Sequence, residues 1–222
     1  MIFNLTQPLI SSVPVLGKDF TWSGSDGTCL VIDDGGGNWR IKFLSSGVLT
    51  CLKDMLIDAF LVGAGGGGHG KYSAGGGGGY TKTAKSVVLE ANTQYSIEIG
   101  AIGADVNGGN TSAFGSTAEG GKVGGTSFNG GDGGSGGGAY GAKGGIDGAD
   151  GNSSSSLYSG GKGQGTTTRE FGESTGDLYS SGGDGISDGA AAGADNTGDG
   201  GDYGKAGGSG IVIIRKHKEA AA

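Results

Sequence analysis

Two glycine motifs in this 222-residue chain have the spacing of phosphate-binding loops. Gly63-x-Gly65-x-x-Gly68 follows the apolar run Ile57 to Val62, which is the order of a dinucleotide fingerprint. That fingerprint works because the pyrophosphate sits on a helix N-terminus. Here the chain continues His69-Gly70-Lys71-Tyr72-Ser73-Ala74 into Gly75 to Gly79, and no helix can start in such a stretch. Gly65-x4-Gly70-Lys71 comes near the P-loop, but Tyr72 stands where the hydroxyl that ligates Mg²⁺ belongs. Neither motif is expected to hold a nucleotide, and no cofactor is expected.

The other chemistry-bearing residues are sparse. Asp132, Asp147, Asp150, Asp184, Asp188, Asp195, Asp199 and Asp202 sit in glycine-rich turns that could offer oxygens to a hard cation. No stretch matches an EF-hand loop or a calcium-binding nonapeptide, so turn formation is the expected role and no metal site is assigned. Glu170 and Glu173 could be imagined as a glycosidase pair, but Arg169 beside them favours a structural ion cluster. There is no nucleophile elbow, and only His69 and His217 could serve as a base. Cys29 and Cys51 could bridge neighbouring strands or stay as buried thiols, with the thiols favoured. No catalytic residue is assigned, and an enzyme is not expected.

Aromatic residues punctuate the second half: Phe114, Phe128, Tyr140, Tyr158, Phe171, Tyr179 and Tyr203. Most are expected to wedge or cap the glycine segments. Tyr140, Tyr158 and Tyr179, flanked by Ser and Gly, have the composition of a loop recognition surface suited to stacking on sugars. Asn152 and Asp184 join them as candidate receptor-binding residues.

These residues hang on an unusual framework. All but seven of the 57 glycines fall between Gly63 and Gly210, and both prolines lie upstream. Ordering each residue costs roughly 1–2 kcal/mol, and glycine brings no side chain to offset it, so a flexible linker is the plain reading. Collagen is excluded because glycine does not recur at every third place. Helix and ordinary pleated sheet are disfavoured. The ordered alternative is a bundle of polyglycine-II helices, three residues per turn. Their bare backbones approach closely enough to exchange lateral N–H···O=C and Cα–H···O contacts. Gly65, Gly66, Gly67, Gly68 and Gly75, Gly76, Gly77, Gly78, Gly79 form its first runs, and Asn-Gly and Asp-Gly pairs such as Asn107-Gly108 and Asp132-Gly133 reverse the chain.

Strands bracket the glycine stretch. Trp39-Arg40-Ile41-Lys42-Phe43 alternates apolar and charged residues, as a half-buried strand does. Ile57 to Val62 is continuously apolar and reads as a strand covered on both faces, although Leu52, Met55, Leu56 and Phe60 also fit a turn of helix before it. Phe20-Thr21-Trp22, Cys29 to Ile32 and Val48 to Leu52 are weaker strand candidates between Gly-containing turns. Thr81 to Leu89, Tyr95 to Gly100 and Ile211-Val212-Ile213-Ile214 complete the set, the last being a central strand that would clamp both ends of the glycine insertion. The expected fold is mostly β: a sandwich-like sheet with a large inserted polyglycine-II bundle and little or no α-helix. Residues 1–16 read as an N-terminal docking arm, 17–102 as a β region with the first glycine runs, 103–210 as the glycine lattice, and 211–222 as closing strand and tail.

Composition narrows the partners. A net charge of −7 and a pI near 4.7 argue against nucleic acid. No apolar run reaches the roughly 18 residues of a membrane helix, and the N-terminus lacks the basic segment and cleavage site of a secretory signal.

Several stretches carry a family resemblance. Asn38 to Phe43, Ile57 to Gly68, Gly77-Gly78-Gly79-Tyr80-Thr81-Lys82-Thr83, Gly163 to Glu173 and Gly207-Gly208-Ser209-Gly210-Ile211-Val212-Ile213-Ile214-Arg215, in this order, resemble the glycine-rich domain of bacteriophage and prophage tail proteins. The resemblance spans roughly residues 17 to 215 and extends, more distantly, to tail-fibre-tip adhesins built on a polyglycine-II sandwich. It implies a non-enzymatic virion protein, a tail-fibre or tail-tip adhesin displaying receptor-binding loops, or alternatively a purely structural virion subunit such as a fibre shaft, decoration protein or filament. It further implies contact with other tail proteins through the arm, with a host surface glycan or protein at the loops, and a homotrimer. The implied location is the phage particle, free outside the cell after lysis.

Overall fold

The computed structural model describes residue 10 and residues 12–218. Among these, ten strands build two five-stranded antiparallel sheets. The first contains β1 (Phe20–Trp22), β4 (Gly47–Cys51), β7 (Gln94–Glu98), β8 (Thr111–Ala113) and β9 (Ser116–Ala118), in that spatial order. The second runs β2 (Cys29–Gly35), β3 (Asn38–Phe43), β10 (Ile211–Lys216), β5 (Met55–Val62) and β6 (Thr81–Leu89). The one helical feature among the described residues is a 3-10 turn at Glu170–Gly172, with Phe171 at φ +56°. The chain is mostly β, as its alternation predicts.

The sheets pack face to face. Phe20, Leu49, Cys51 and Ile97 from one meet Trp39, Ile41, Phe43, Ile57, Leu61, Val212 and Ile214 from the other. In β3 the alternation read from the sequence sends Trp39, Ile41 and Phe43 inward and leaves Asn38, Arg40 and Lys42 on the opposite face. Each such large apolar side chain contributes roughly 1.5–3 kcal/mol relative to exposure. β10 lies between β3 and β5 and is covered twice. Val212 and Ile214 enter the sandwich, whereas Ile211 and Ile213 join Phe60, Val62, Phe171 and Tyr179 in a second core. That second core is where glycine-rich chain lies over the sheet. The strand at Met55–Val62 starts where a helical turn was an alternative, and its register with β6 and β10 excludes that turn.

The glycine segments follow a strict hydrogen-bond rule. Gly75 and Gly78 donate to Gly138 and Ser135; Gly76 and Gly79 donate to Gly201 and Gly198; Gly77 and Tyr80 donate to Lys122 and Glu119. Residues three apart therefore address the same neighbouring run, antiparallel, while successive residues address three different runs. The first run repeats the pattern. Gly63, Gly66 and His69 bond to Tyr80, Gly77 and Ala74; Ala64 and Gly67 to Gly109 and Val106; Gly65 and Gly68 to Gly208 and Lys205. A pleated strand has only two lateral neighbours, so this connectivity is not a sheet. Asn side chains take part too: Gly120 and Val123, again three apart, donate to the Oδ1 atoms of Asn110 and Asn107 at 3.0 and 2.9 Å.

This ladder gives the molecule two poles. The chain leaves β5 at Val62, turns at 70–73 and re-enters β6 at Thr81, so that turn stands at the end remote from the sheets. Ile10 and His217 bond to Asp54 and Leu56 beside the opposite end of β5. Both ends of the described chain thus lie at one pole and the glycine turns at the other. Of the expected arm, residues 1–9 and 11 fall outside the described residues; Val13 packs against the sandwich core while Val15 and Leu16 are each 51% exposed. Beyond residue 103, β8 and β9 extend the first sheet, burying Ala113 and Ala118, and the runs at 63–79 bond both with each other and with runs in 103–210. No helix among the described residues is long and apolar enough to cross a membrane.

Close approach should make the runs intolerant of a single methyl group. A Cβ at Gly76 would overlap the carbonyl of Gly66, whereas one at Gly70 would rest 3.4 Å from the Cα of Gly204. Gly76→Ala is expected to cost more than about 3 kcal/mol or to prevent folding, and Gly70→Ala to change stability by less than about 1 kcal/mol. Urea titrations of both variants compare them; equal effects would sink the packing argument.

Candidate binding surface

The turns at the pole away from the sheets converge because the runs beneath them are in register. Gly67 bonds to Val106 and accepts from Gly124, Gly68 bonds to Lys205, Gly75 to Gly138, and Ala139 to Asn152. Each contact lies one or two residues from a chain reversal, so the turns around 70–73, 104–106, 125–129, 140–142, 153–158 and 203–204 share one surface.

Four of these turns bring an aromatic cluster together. Tyr72 meets His69 edge-on at 4.8 Å and Phe128 at 5.5 Å between ring centroids. Phe128 in turn contacts Tyr140 at 5.6 Å and Tyr158 at 5.0 Å, and those two tyrosines lie 6.0 Å apart. Such pairs add roughly 0.5–1.5 kcal/mol each beyond simple burial. The Lys71 ammonium sits 5.4 Å from the Tyr72 ring centre. Tyr140 is 49% exposed and Leu157 is 79% exposed. None of the Tyr72, Tyr140 and Tyr158 hydroxyls is engaged by protein among the described residues. Phe128 and Ser73 hold left-handed backbone, at φ +64° and +46°. Side chains there cost of order 1–3 kcal/mol and persist only where the surroundings enforce them. Around the rings lies a neutral polar rim: Thr126, Ser127, Asn152 and Ser153 to Ser156 are exposed.

Of the candidates read from the sequence, Tyr140 and Tyr158 come together here. Asn152 borders them, exposed, with its amide donating to the Lys143 carbonyl at 3.2 Å. Asp184 is half-buried and braces the runs, its Oδ1 accepting from Gly144 N–H at 2.8 Å. Tyr179 is a correction. It is 5% exposed and packs 5.6 Å from Phe60 in the second core at the sheet, where burial pushes its phenol pKa up. The Ser and Gly beside it mimic a loop, but Thr168 Oγ1 donating to its carbonyl and Lys42 reaching its hydroxyl tie it down. Sequence reasoning missed Tyr72, which carries a signal in hindsight: it sits midway between two runs that must turn.

The remaining candidates are structural. Asp132, Asp150, Asp199 and Asp202 accept backbone N–H bonds from Lys162, Gly163, Ser181 and Asp184 at 2.6 to 2.8 Å. They join runs where the main chain lacks a partner, and no cluster of metal-ligand type occurs among the described residues. Both cysteines are free thiols on different sheets, and burial raises their pKa values to about 11 for Cys29 and about 12 for Cys51, so neither is an activated nucleophile.

A cleft of about 390 Å³ at the open edge of the second sheet is lined by charge that is already paired. Arg40 holds Asp34 at 2.9 Å and Glu170 at 3.0 Å; Arg215 holds Glu173 at 2.6 Å and Asp58 at 3.2 Å while stacking 4.0 Å over Phe171. Burial pushes the Glu173 carboxyl up, but Arg215 and Lys218 outweigh it and hold it below its ordinary value. A glycosidase acid needs the opposite shift.

Nearby, Asp58 Oδ1 accepts from His217 Nδ1 at 2.6 Å, and His217 Nε2 lies 3.4 Å from Ser86 Oγ. This order resembles an acyl-transfer triad. Ser86, however, sits at a β-bulge with φ +57° and spends its own N–H on the same Asp58 oxygen at 3.1 Å. The amide that could stabilise an oxyanion is thereby consumed. The cluster fastens β10 and the β6 bulge to a fully buried carboxylate.

That carboxylate carries a pH signature. Burial raises the Asp58 pKa, yet His217, the Ser86 amide and Arg215 together bring it below the ordinary value. A depressed folded-state pKa contributes stability that is complete above the unfolded-state value, near 4, and is lost as pH falls through the folded-state value. Asp58→Asn should therefore cost about 3 kcal/mol at pH 7 and flatten the loss of stability between about pH 5 and pH 2. Urea denaturation across that range measures both; a variant as stable and as acid-sensitive as the parent would contradict the role.

No protein-family model matches the chain, and no curated protein matches it.

Proposed function

We propose that this chain is a non-enzymatic virion protein of a bacteriophage, a tail-fibre or tail-tip adhesin that displays receptor-binding loops on a polyglycine-II scaffold. The observation that carries the reading is the separation of poles. A cross-braced glycine bundle stands between the sheets, where both ends of the described chain lie, and a set of turns that present half-exposed aromatic rings and small polar side chains. Binding residues concentrate on loops held by a rigid frame, and here the frame reaches into the loops themselves.

Three-residue periodicity supports the polyglycine-II part. Helices of three residues per turn direct successive N–H groups to three neighbours, which is the pattern linking residues 75–80 to the runs at 135–138, 198–201 and 119–122. A bundle of this kind needs no side-chain core of its own. The foot suits attachment to another virion component: Val15 and Leu16, each 51% exposed, follow closely on Ile10, where the described chain begins, and a docked neighbour would cover them. The family resemblance of residues 17 to 215 supplies the virion context and the homotrimer expectation. A shaft or decoration subunit would share the scaffold but would not need an exposed aromatic tip.

Purified protein added to susceptible bacteria should compete with adsorption of the parent phage. Replacing residues 152–159 with a Gly-Ser turn of equal length should abolish that competition while leaving thermal unfolding within a few degrees. Immunogold labelling should place the protein at the tail tip. Labelling along the shaft, with no competition by folded protein, would overturn the adhesin reading in favour of a structural subunit.

A further inference from the structure

We propose that the surface formed by Tyr72, Tyr140 and Tyr158 is a carbohydrate platform. It takes a pyranose ring of a cell-surface polysaccharide with the C–H face stacked on Tyr140 and Tyr158 and the sugar hydroxyls bonded to the rim. The inference rests on the adhesin reading for its biological setting but on the geometry of the turns for its chemistry.

The first argument is the kind of surface these rings make. Tyrosine offers an apolar face and a polar edge, and a pyranose has the same split between C–H faces and an equatorial belt of hydroxyls. Tyr140 and Tyr158 lie 6.0 Å apart and inclined by 63°, a shallow corner rather than a flat stack, and Tyr140 is half exposed. Their hydroxyls are not committed within the protein among the described residues. Sugar hydroxyls need partners that both donate and accept. Hydroxyls and carboxamides do both, and the rim is made of Ser153, Ser154, Ser155 and Asn152.

The second argument is electrostatic. Two of the lysines at this pole are accompanied, Lys71 lying over Tyr72 and Lys143 facing Asp184 at 3.9 Å, and Lys205 stands apart from the rings beside the turn at 203–204. Asp105 lies 3.6 Å from His69. No concentrated patch of either sign results, which disfavours a phosphate-dominated ligand. A protein partner is disfavoured too. Protein hot spots are fully desolvated apolar pockets, and the large apolar side chains this pole adds to its rings, Leu157 and Val106, stand 79% and 50% exposed on an open surface.

The third argument is rigidity. Each ring is held by contact with another, and Phe128 is locked in left-handed backbone by the runs beneath it. Weak ligands gain most from a site that loses little freedom on binding.

Saturation-transfer NMR with methyl glycosides of common hexoses and N-acetylhexosamines, and affinity measurement with purified surface polysaccharide from a susceptible bacterium, test the platform. The expected result is saturation on ring C–H protons. Tyr140→Ala and Tyr158→Ala should each weaken polysaccharide binding about tenfold, and Tyr140→Phe by less than about threefold, because stacking outweighs the single hydroxyl. Circular dichroism should show all three variants folded, since the rings are not part of either core. The proposal is overturned if no sugar receives saturation and the polysaccharide does not bind. Cell binding that survives periodate but not protease would then identify a protein receptor and leave the adhesin reading intact. Absence of cell binding altogether would remove both readings. Equal loss in Tyr140→Phe and Tyr140→Ala would also overturn stacking.

Discussion

A glycine Cα lying against the carbonyl of a neighbouring run is the contact on which the molecule depends. Gly76 rests on Gly66, Gly65 on Asp199 and Gly137 on Gly75, each so near that a Cβ would overlap backbone. Backbone hydrogen bonds hold such a structure only if the chains can come that close, and they can come that close only without side chains. The penalty is the conformational entropy of glycine. It is offset not by hydrophobic burial within the runs but by the near-complete lateral pairing of their N–H and C=O groups, fastened at one end to an ordinary sandwich.

The fastening explains the second core. Lateral bonds align runs with one another, but nothing in a bare backbone fixes the bundle on the sheet. Phe171 and Tyr179, carried by glycine-rich chain, supply that anchor by packing on Phe60, Val62, Ile211 and Ile213. The ion network of Arg40, Glu170, Arg215, Glu173, Asp58 and His217 closes over the same place. The buried charges there, Glu170, Asp58 and Arg215, are each paired through hydrogen bonds, the condition under which buried charges are tolerated. The carboxylate pair Glu170 and Glu173 and the Ser86–His217–Asp58 array lie in this joint between two kinds of architecture.

Because the joint and both ends of the described chain lie at one pole, the opposite pole is free to vary. Its turns are short, and their backbones are held one or two residues away by the ladder. The exposed side chains of Tyr140 and Leu157 make none of the ladder's bonds. A scaffold made of main chain is indifferent to the identity of the residues it displays. The same property that excludes side chains from the runs concentrates them at the turns.

Much of this was legible in the residues alone. The alternation of Trp39 to Phe43 specified a half-buried strand, the four branched residues Ile211 to Ile214 specified a doubly covered one, and the density of glycine argued against helix and collagen in the glycine runs, although the short pleated hairpin of β8 and β9 inside the glycine-rich stretch was not foreseen. Those inferences are local, because side-chain period and propensity act within a few residues. Which turns meet was not local. Tyr72, Phe128, Tyr140 and Tyr158 come together, and Tyr179 departs for the core, because the runs pair with partners as distant in sequence as Gly208 is from Gly65, and one glycine run looks like another in sequence. Composition determined that the chain needed close-packed neighbours; only the tertiary register of the runs decided which neighbours they would be, and hence which side chains share a surface.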